Sequence, residues 1–170
     1  SKALIDKDAI YTAEGGGLPV STLKLVIGQI VPFPGNYGIG NHPESFAVYG
    51  YRKYFTDKNR NVVLRLSQDG LTEISMHGMT DYFRDKLSLA VNVIGSYDDK
   101  KDLYNITFKG IRGDDVNDTV SFSENVKGWP SRKSFIPEIA LSLNNIYYSF
   151  YQGELYSHDN IRRNTFYGNF

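Results

Sequence analysis

The stretch YRKYFTDKNRNVVLRLSQDGLTEISMHGM, residues 51–79, decides the fold class. It begins aromatic, at Tyr54-Phe55, and stops at Asp57. Lys58-Asn59-Arg60-Asn61 is an uninterrupted polar run. Val62-Val63-Leu64-Arg65-Leu66-Ser67 is β-branched at its start and alternating at its end, and after Gln68-Asp69-Gly70 the alternation resumes in Leu71-Thr72-Glu73-Ile74-Ser75. Alternation with period 2 places one face of a strand on a core. Asp-Gly is a strong hairpin signal, because glycine supplies the positive φ that tight turns need. The stretch predicts three antiparallel strands in a meander, the unit of a single sheet or of one propeller blade.

Working outward, the same frame recurs. Asp98 closes a second apolar run, Asp99-Lys100-Lys101-Asp102 is polar, and Leu103-Tyr104-Asn105-Ile106-Thr107-Phe108 is a six-residue strand. Thr119–Ser123 then alternates as Leu71–Ser75 does. The offset from Asp57 to Asp98 is about 41 residues, within the range of propeller blades. The expected architecture is all-β, with antiparallel meanders resembling propeller blades. Two ordinary hairpins with similar turns would give the same pattern.

Beyond these repeats, Gly15-Gly16-Gly17 marks a joint after an N-terminal segment, residues 1–19. The β domain is read over residues 20–159. It opens with one or two strands in Val20–Pro32 around Gly28, then a turn-rich loop at 32–45 that lacks the Gly-Lys-Ser/Thr of a phosphate cradle. Phe46–Tyr49 reads as a short strand. Thr80–Lys86 is the one helix candidate, near 80–87, with Thr80 as its cap. Ser88–Ile94 alternates like a strand, and 109–118 reads as a polar loop. Pro130 biases Trp129 to extended geometry. Ile146–Tyr151, a Gln152-Gly153 turn and Glu154–Tyr156 form the last hairpin. Residues 160–170 are a polar, aromatic tail.

Composition narrows the functions. The 170 residues carry 19 basic and 19 acidic side chains, a formal charge of zero. That argues against a general binder of nucleic acid or anionic membrane. There is no cysteine, so disulfides and thiolate metal sites are excluded. No run of 18 apolar residues occurs, so no membrane-spanning helix is expected. The chain is rich in Tyr (13) and Phe (10), residues suited to half-buried strands and to interfaces.

No catalytic motif emerges. His42, His77 and His158 lie far apart, and none has HxH or HExxH spacing. Asp114, Asp115 and Asp118 resemble calcium ligands only loosely, since the EF-hand glycine and glutamate are missing. Asp57 reads as a residue bonding its own turn. No metal or cofactor is expected, and the chain is read as a non-enzyme. Trp129, Tyr147, Tyr148 and Tyr151 are the candidate interface anchors, weighed against a role in the core.

A resemblance adds to this reading. The blocks NHPESFA (41–47), YFTDKNRNVVLRLS (54–67), DGLTEIS (69–75), GMTDYFRD (78–85), GWPSRKSFIP (128–137), SLNN (142–145) and NTFYG (164–168) resemble, in order, a family of large virion proteins of crAss-like and related tailed phages. The resemblance spans Gly28 to Gly168. It implies a tail component of the nozzle or muzzle type, built on propeller-like β domains, in which this chain is one domain or a proteolysed fragment of a longer protein. The implied partners are other tail proteins, further copies of itself within the tail, and a host glycan or receptor. The implied location is the virion tail. A carbohydrate-binding module for host adhesion is the competing reading. A glycan hydrolase comes third, because it needs two carboxylates facing each other across about 5–10 Å.

Overall fold

The computed structural model describes residues 2–6, 26–110, 117–161 and 167. The chain divides into two units, Ser1–Gly35 and Asn36–Phe170. In the first, β1 (Lys2–Asp6) and β2 (Val26–Val31) pair antiparallel, with an irregularity between Ala3 and Ile5. The glycine run at 15–17 lies outside the described residues.

Among its described residues, the second unit holds three antiparallel meanders. The first sheet orders β3 (Ala47–Tyr49), β4 (Arg52–Asp57), β5 (Val62–Ser67) and β6 (Gly70–Glu73). The second orders β7 (Asn92–Asp98), β8 (Leu103–Lys109), β9 (Asp118–Ser123) and β10 (Gly128–Lys133). The third orders β11 (Ile139–Leu143), β12 (Ile146–Tyr151) and β13 (Glu154–Ser157). Among the described residues the architecture is all-β with one α-helix, α1 (Thr80–Leu89), between the first two sheets in sequence.

The propeller reading is overturned. The meanders form separate sheets, none closed into a barrel or curled propeller. The recurrence that suggested blades is a recurrence of turns. Asp57 and Asp98 each end a strand, and each Oδ1 accepts the backbone N–H three residues on, from Arg60 at 3.2 Å and Lys101 at 3.1 Å. Asn61 and Asp102 close the two turns at φ 55° and 54°. Ser123 to Gly128 repeats the same four-residue turn, with Lys127 at φ 51°. A local turn fixes how one hairpin reverses; it does not fix how several hairpins close.

Three element boundaries also shift. The Phe83 N–H bonds to Met79 O, so Met79 holds the cap position, without a side-chain cap, and Thr80 lies inside the first turn. The helix continues through Ser88 and Leu89, because Ala90 N–H still reaches Lys86 O and Ser88 Oγ donates to Asp85 O; the expected strand starts only at Asn92. Ile74 and Ser75 leave the strand for a 3₁₀ turn, Ile74–Met76, where Ser75 Oγ takes the Val63 N–H at 3.1 Å in place of a ladder partner.

The core lies between the first two sheets. Tyr49, Tyr97, Tyr54 and Tyr104 stack in succession, with centroid spacings of 4.2, 5.7 and 4.7 Å. The tips of the two fully buried rings are satisfied: Tyr54 donates to Glu124 at 2.8 Å and Tyr104 to Ser45 O at 2.9 Å. Burial and the Glu124 bond raise the Tyr54 phenol pKa above its usual range. Phe83 and Leu87, one helical turn apart, seat α1 on this cluster. Gly95 leaves room for the Pro43–Ser45 turn, since a Cβ there would stand 1.9 Å from Ser45 O.

Candidate functional site

Alternation in β7–β9 sorts residues onto two faces. Val93, Tyr97, Tyr104, Ile106, Phe108, Val120 and Phe122 face the core. Ser96, Asn105, Thr107, Thr119 and Ser121 point the other way and are also buried. The third sheet and its flanking residues cover them. Ser96 and Tyr147 share a hydroxyl bond at 2.7 Å, Thr119 donates to Phe135 O at 2.7 Å, and Ser121 donates to Asn105 Oδ1 at 2.6 Å. β11 runs along the free edge of β7. There Ser142 Oγ donates to Tyr97 O at 2.8 Å and accepts from Asp99 N–H at 3.1 Å.

The third sheet therefore turns its small and polar face inward. Ala140, Ser142, Tyr147, Ser149, Tyr151 and Tyr156 share that face. Ile139, Leu141, Leu143, Ile146, Tyr148, Phe150 and Leu155 share the other. Register stacks them in rows, Ile139–Phe150–Leu155 and Leu141–Tyr148 among them. Leu143 is 59% exposed, Leu155 56% and Ile139 52%. Among these seven side chains the only polar atom is the Tyr148 hydroxyl, and Ser157 borders them. This is an apolar sheet face open to solvent, the reverse of the usual order in a half-solvated antiparallel sheet.

The anticipated anchors separate. Trp129 sits in edge strand β10, packs on Phe83 and Phe122 at 4.4 and 5.2 Å, and donates to Ile74 O at 3.0 Å. Pro130 is tolerated beside it because an edge strand can spare an N–H. Tyr147 is 2% exposed, and burial pushes its phenol up to about 12. Tyr151 lies on the inner face, stacked 4.2 Å from Tyr167. Tyr148 alone is on the outer face. The residues around it were missed, although Ile139-Ala140-Leu141-Ser142-Leu143 carries the period-2 signal.

A polar cavity of about 740 Å³ lies where β9 and β10 approach the third sheet, lined by Lys109, Asp118, Arg132, Lys133, Glu138 and Tyr151. Asp118, expected in a solvated loop, is 2% exposed and begins β9. Its carboxylate accepts from Arg132 Nε at 2.6 Å and Tyr82 OH at 2.7 Å, and this pairing is what permits its burial. Glu138 accepts the backbone N–H groups of Gln152 at 3.1 Å and Gly153 at 3.3 Å. Both carboxylates are thus engaged in the fold's own bonds. Burial lowers the pKa of Lys109 and Lys133. Asp114 and Asp115 lie outside the described residues.

No protein-family model matches this chain, and no curated protein matches it significantly.

Among the described residues, no group of three His, Asp or Glu side chains could hold a metal ion. The histidines stay apart. His42 and His158 are half-buried, and burial holds both imidazoles below their usual pKa. His77 is exposed. His158 bonds Ser149 Oγ through Nε2 at 2.6 Å and lies against Phe135 and Tyr147. Among the described residues, no helix is long and apolar enough to cross a membrane.

Proposed function

We propose that this chain is a structural subunit of a tailed-phage virion, built into the tail through contacts with neighbouring tail proteins. The observation that carries the assembly part is the outer face of β11–β13. A soluble sheet that hides hydroxyls and exposes leucines has its alternation set for a covering surface. The ordered run of sequence blocks from Gly28 to Gly168 supports the virion part. Glycan adhesion finds less support, because of the four anticipated anchors only Tyr148 lies on an open face. Tyr147 is buried, and Trp129 and Tyr151 are packed on Phe83 and Tyr167.

The test is direct. Mass spectrometry of purified particles is expected to detect the chain at a fixed copy number, and particle imaging to place it in the tail. Its absence from particles, or its release as a free lytic protein, would overturn the reading. Binding on a glycan array would shift the function to host adhesion.

A further inference from the structure

We infer that the outer face of β11–β13 is covered by a second copy of this chain, packed sheet to sheet about a two-fold axis parallel to β12. The inference rests on the assembly reading above and names the partner of that same face. Size is the first argument. The half-exposed Ile and Leu side chains present roughly 500 Å² of apolar surface, toward the upper end of what a typical monomer leaves open. Two such faces together bury about 1,000 Å², the size at which a specific interface begins. Charge is the second. The outer face carries no charged side chain, so two identical faces meet without repulsion, and the chain's zero net charge adds none. Shape is the third. Two twisted sheets pack face to face when their mean strand directions lie within about 30° of each other, and a two-fold contact requires only one self-complementary surface.

The side-chain rows select the axis. β12 carries Ile146, Tyr148 and Phe150 along the midline. β11 adds three apolar residues on one side, whereas β13 adds Leu155 and Ser157 on the other. Rotation about β12 lays the full row of one copy over the sparse row of its partner. Within the Ile139–Phe150–Leu155 row, Ile139 of one copy then meets Leu155 of the other. An axis across the strands would set full row on full row and leave a gap opposite.

The test uses Ile139→Glu and Leu155→Lys, both at exposed sites, in the full chain. Sedimentation equilibrium of the parent is expected to show a concentration-dependent dimer. Each variant alone is expected to sediment as a monomer, with the parent's circular dichroism and with the melting temperature that the parent shows at dilutions where it too is monomeric. Mixed in equal amounts, the two are expected to regain the dimer, since the new charges oppose each other across the axis. A parent that stays monomeric to millimolar concentration, variants that still dimerise, or a mixture that stays monomeric overturns the pairing. A dimeric chain missing from purified virions sinks the tail assignment and leaves the pairing standing. A monomeric chain found in virions does the reverse.

Discussion

In the second sheet, β8 sets Tyr104, Ile106 and Phe108 on one face and Asn105 and Thr107 on the other, and all five are buried. In the third sheet, β11 sets Ile139, Leu141 and Leu143 on one face and Ala140 and Ser142 on the other, and the leucines and isoleucine face solvent. The two strands carry the same alternation with opposite consequences. Period 2 states which residues share a face. Which face is covered depends on what stands beside the sheet, and here a polar layer lies between the second and third sheets. Each hydroxyl in that layer needs a named partner, since an unpaired buried polar group costs about 1–3 kcal/mol.

The comparison can be broken most forcefully at Gly95. Gly95→Ala would place a methyl 1.9 Å from Ser45 O and 2.6 Å from Ser45 C. Both are backbone atoms, so relief requires shifting the Pro43–Ser45 turn that clamps the first sheet to the second. Destabilisation of about 3 kcal/mol or more is expected from urea unfolding, and a parent-like midpoint would refute the close approach. Asp118→Ala comes next. It strips the Tyr82 hydroxyl and Arg132 of their acceptor, and the loss is expected at about 1–3 kcal/mol. The Arg132 guanidinium is solvated, so most of this cost belongs to Tyr82.

Turn glycines sharpen the comparison from the other side. Gly153 sits at φ 77° after Gln152 at φ 52°, and Gly70 sits at φ 102°. Valine disfavours that region, so Gly153→Val in the third sheet and Gly70→Val in the first should each cost on the order of 1 kcal/mol or more. Equal melting temperatures for parent and variant would show the turn relaxing. The smallest effect is a pH dependence at His158. Burial holds its imidazole below the ordinary 6.5, and Lys101 acts in the same direction. Protonation then favours the unfolded chain. The stability His158 contributes is complete above pH 6.5 and falls as the pH drops through the depressed folded value. Melting followed between about pH 7 and 5.5 should slope downward, and His158→Gln should flatten that slope.

Much of the strand inventory was legible because it is local. Val62–Ser67, Leu103–Phe108 and Ile146–Tyr151 announced themselves by alternation, and Gly70 and Gly153 adopt the positive φ that their turns predicted. The equivalence of Asp57 and Asp98 was also legible, since both carboxylates bond within their own four-residue turns. Closure was not legible, because a repeated turn contains no information about sheet-to-sheet contact. Nor was the role of Tyr147 against Tyr148. The two are neighbours of the same type, and the ring that goes inside is the one that meets Ser96, Phe135 and His158 in space. Ser88–Ile94 misled for a related reason: its alternation reads as a strand, yet Leu89 ends α1, and Leu89 and Val91 are both exposed.

The seam between the second and third sheets has one more consequence. Apart from the Phe135, Tyr147 and His158 rings and the solvent-exposed Lys101–Asp159 ion pair, it is held by hydroxyl and backbone bonds that water can replace, each with a net value of about 1 kcal/mol. Such a joint fixes geometry with little adhesion. β11–β13 is therefore expected to lift as a unit while β7–β9 stay shut. In hydrogen exchange, the amides of Tyr148 and Ser149 should take up deuterium well before those of Ile106 and Val120. A copy clamped on the outer face would slow the first pair and leave the second unchanged, so exchange recorded at rising protein concentration would separate the two sheets by their clocks.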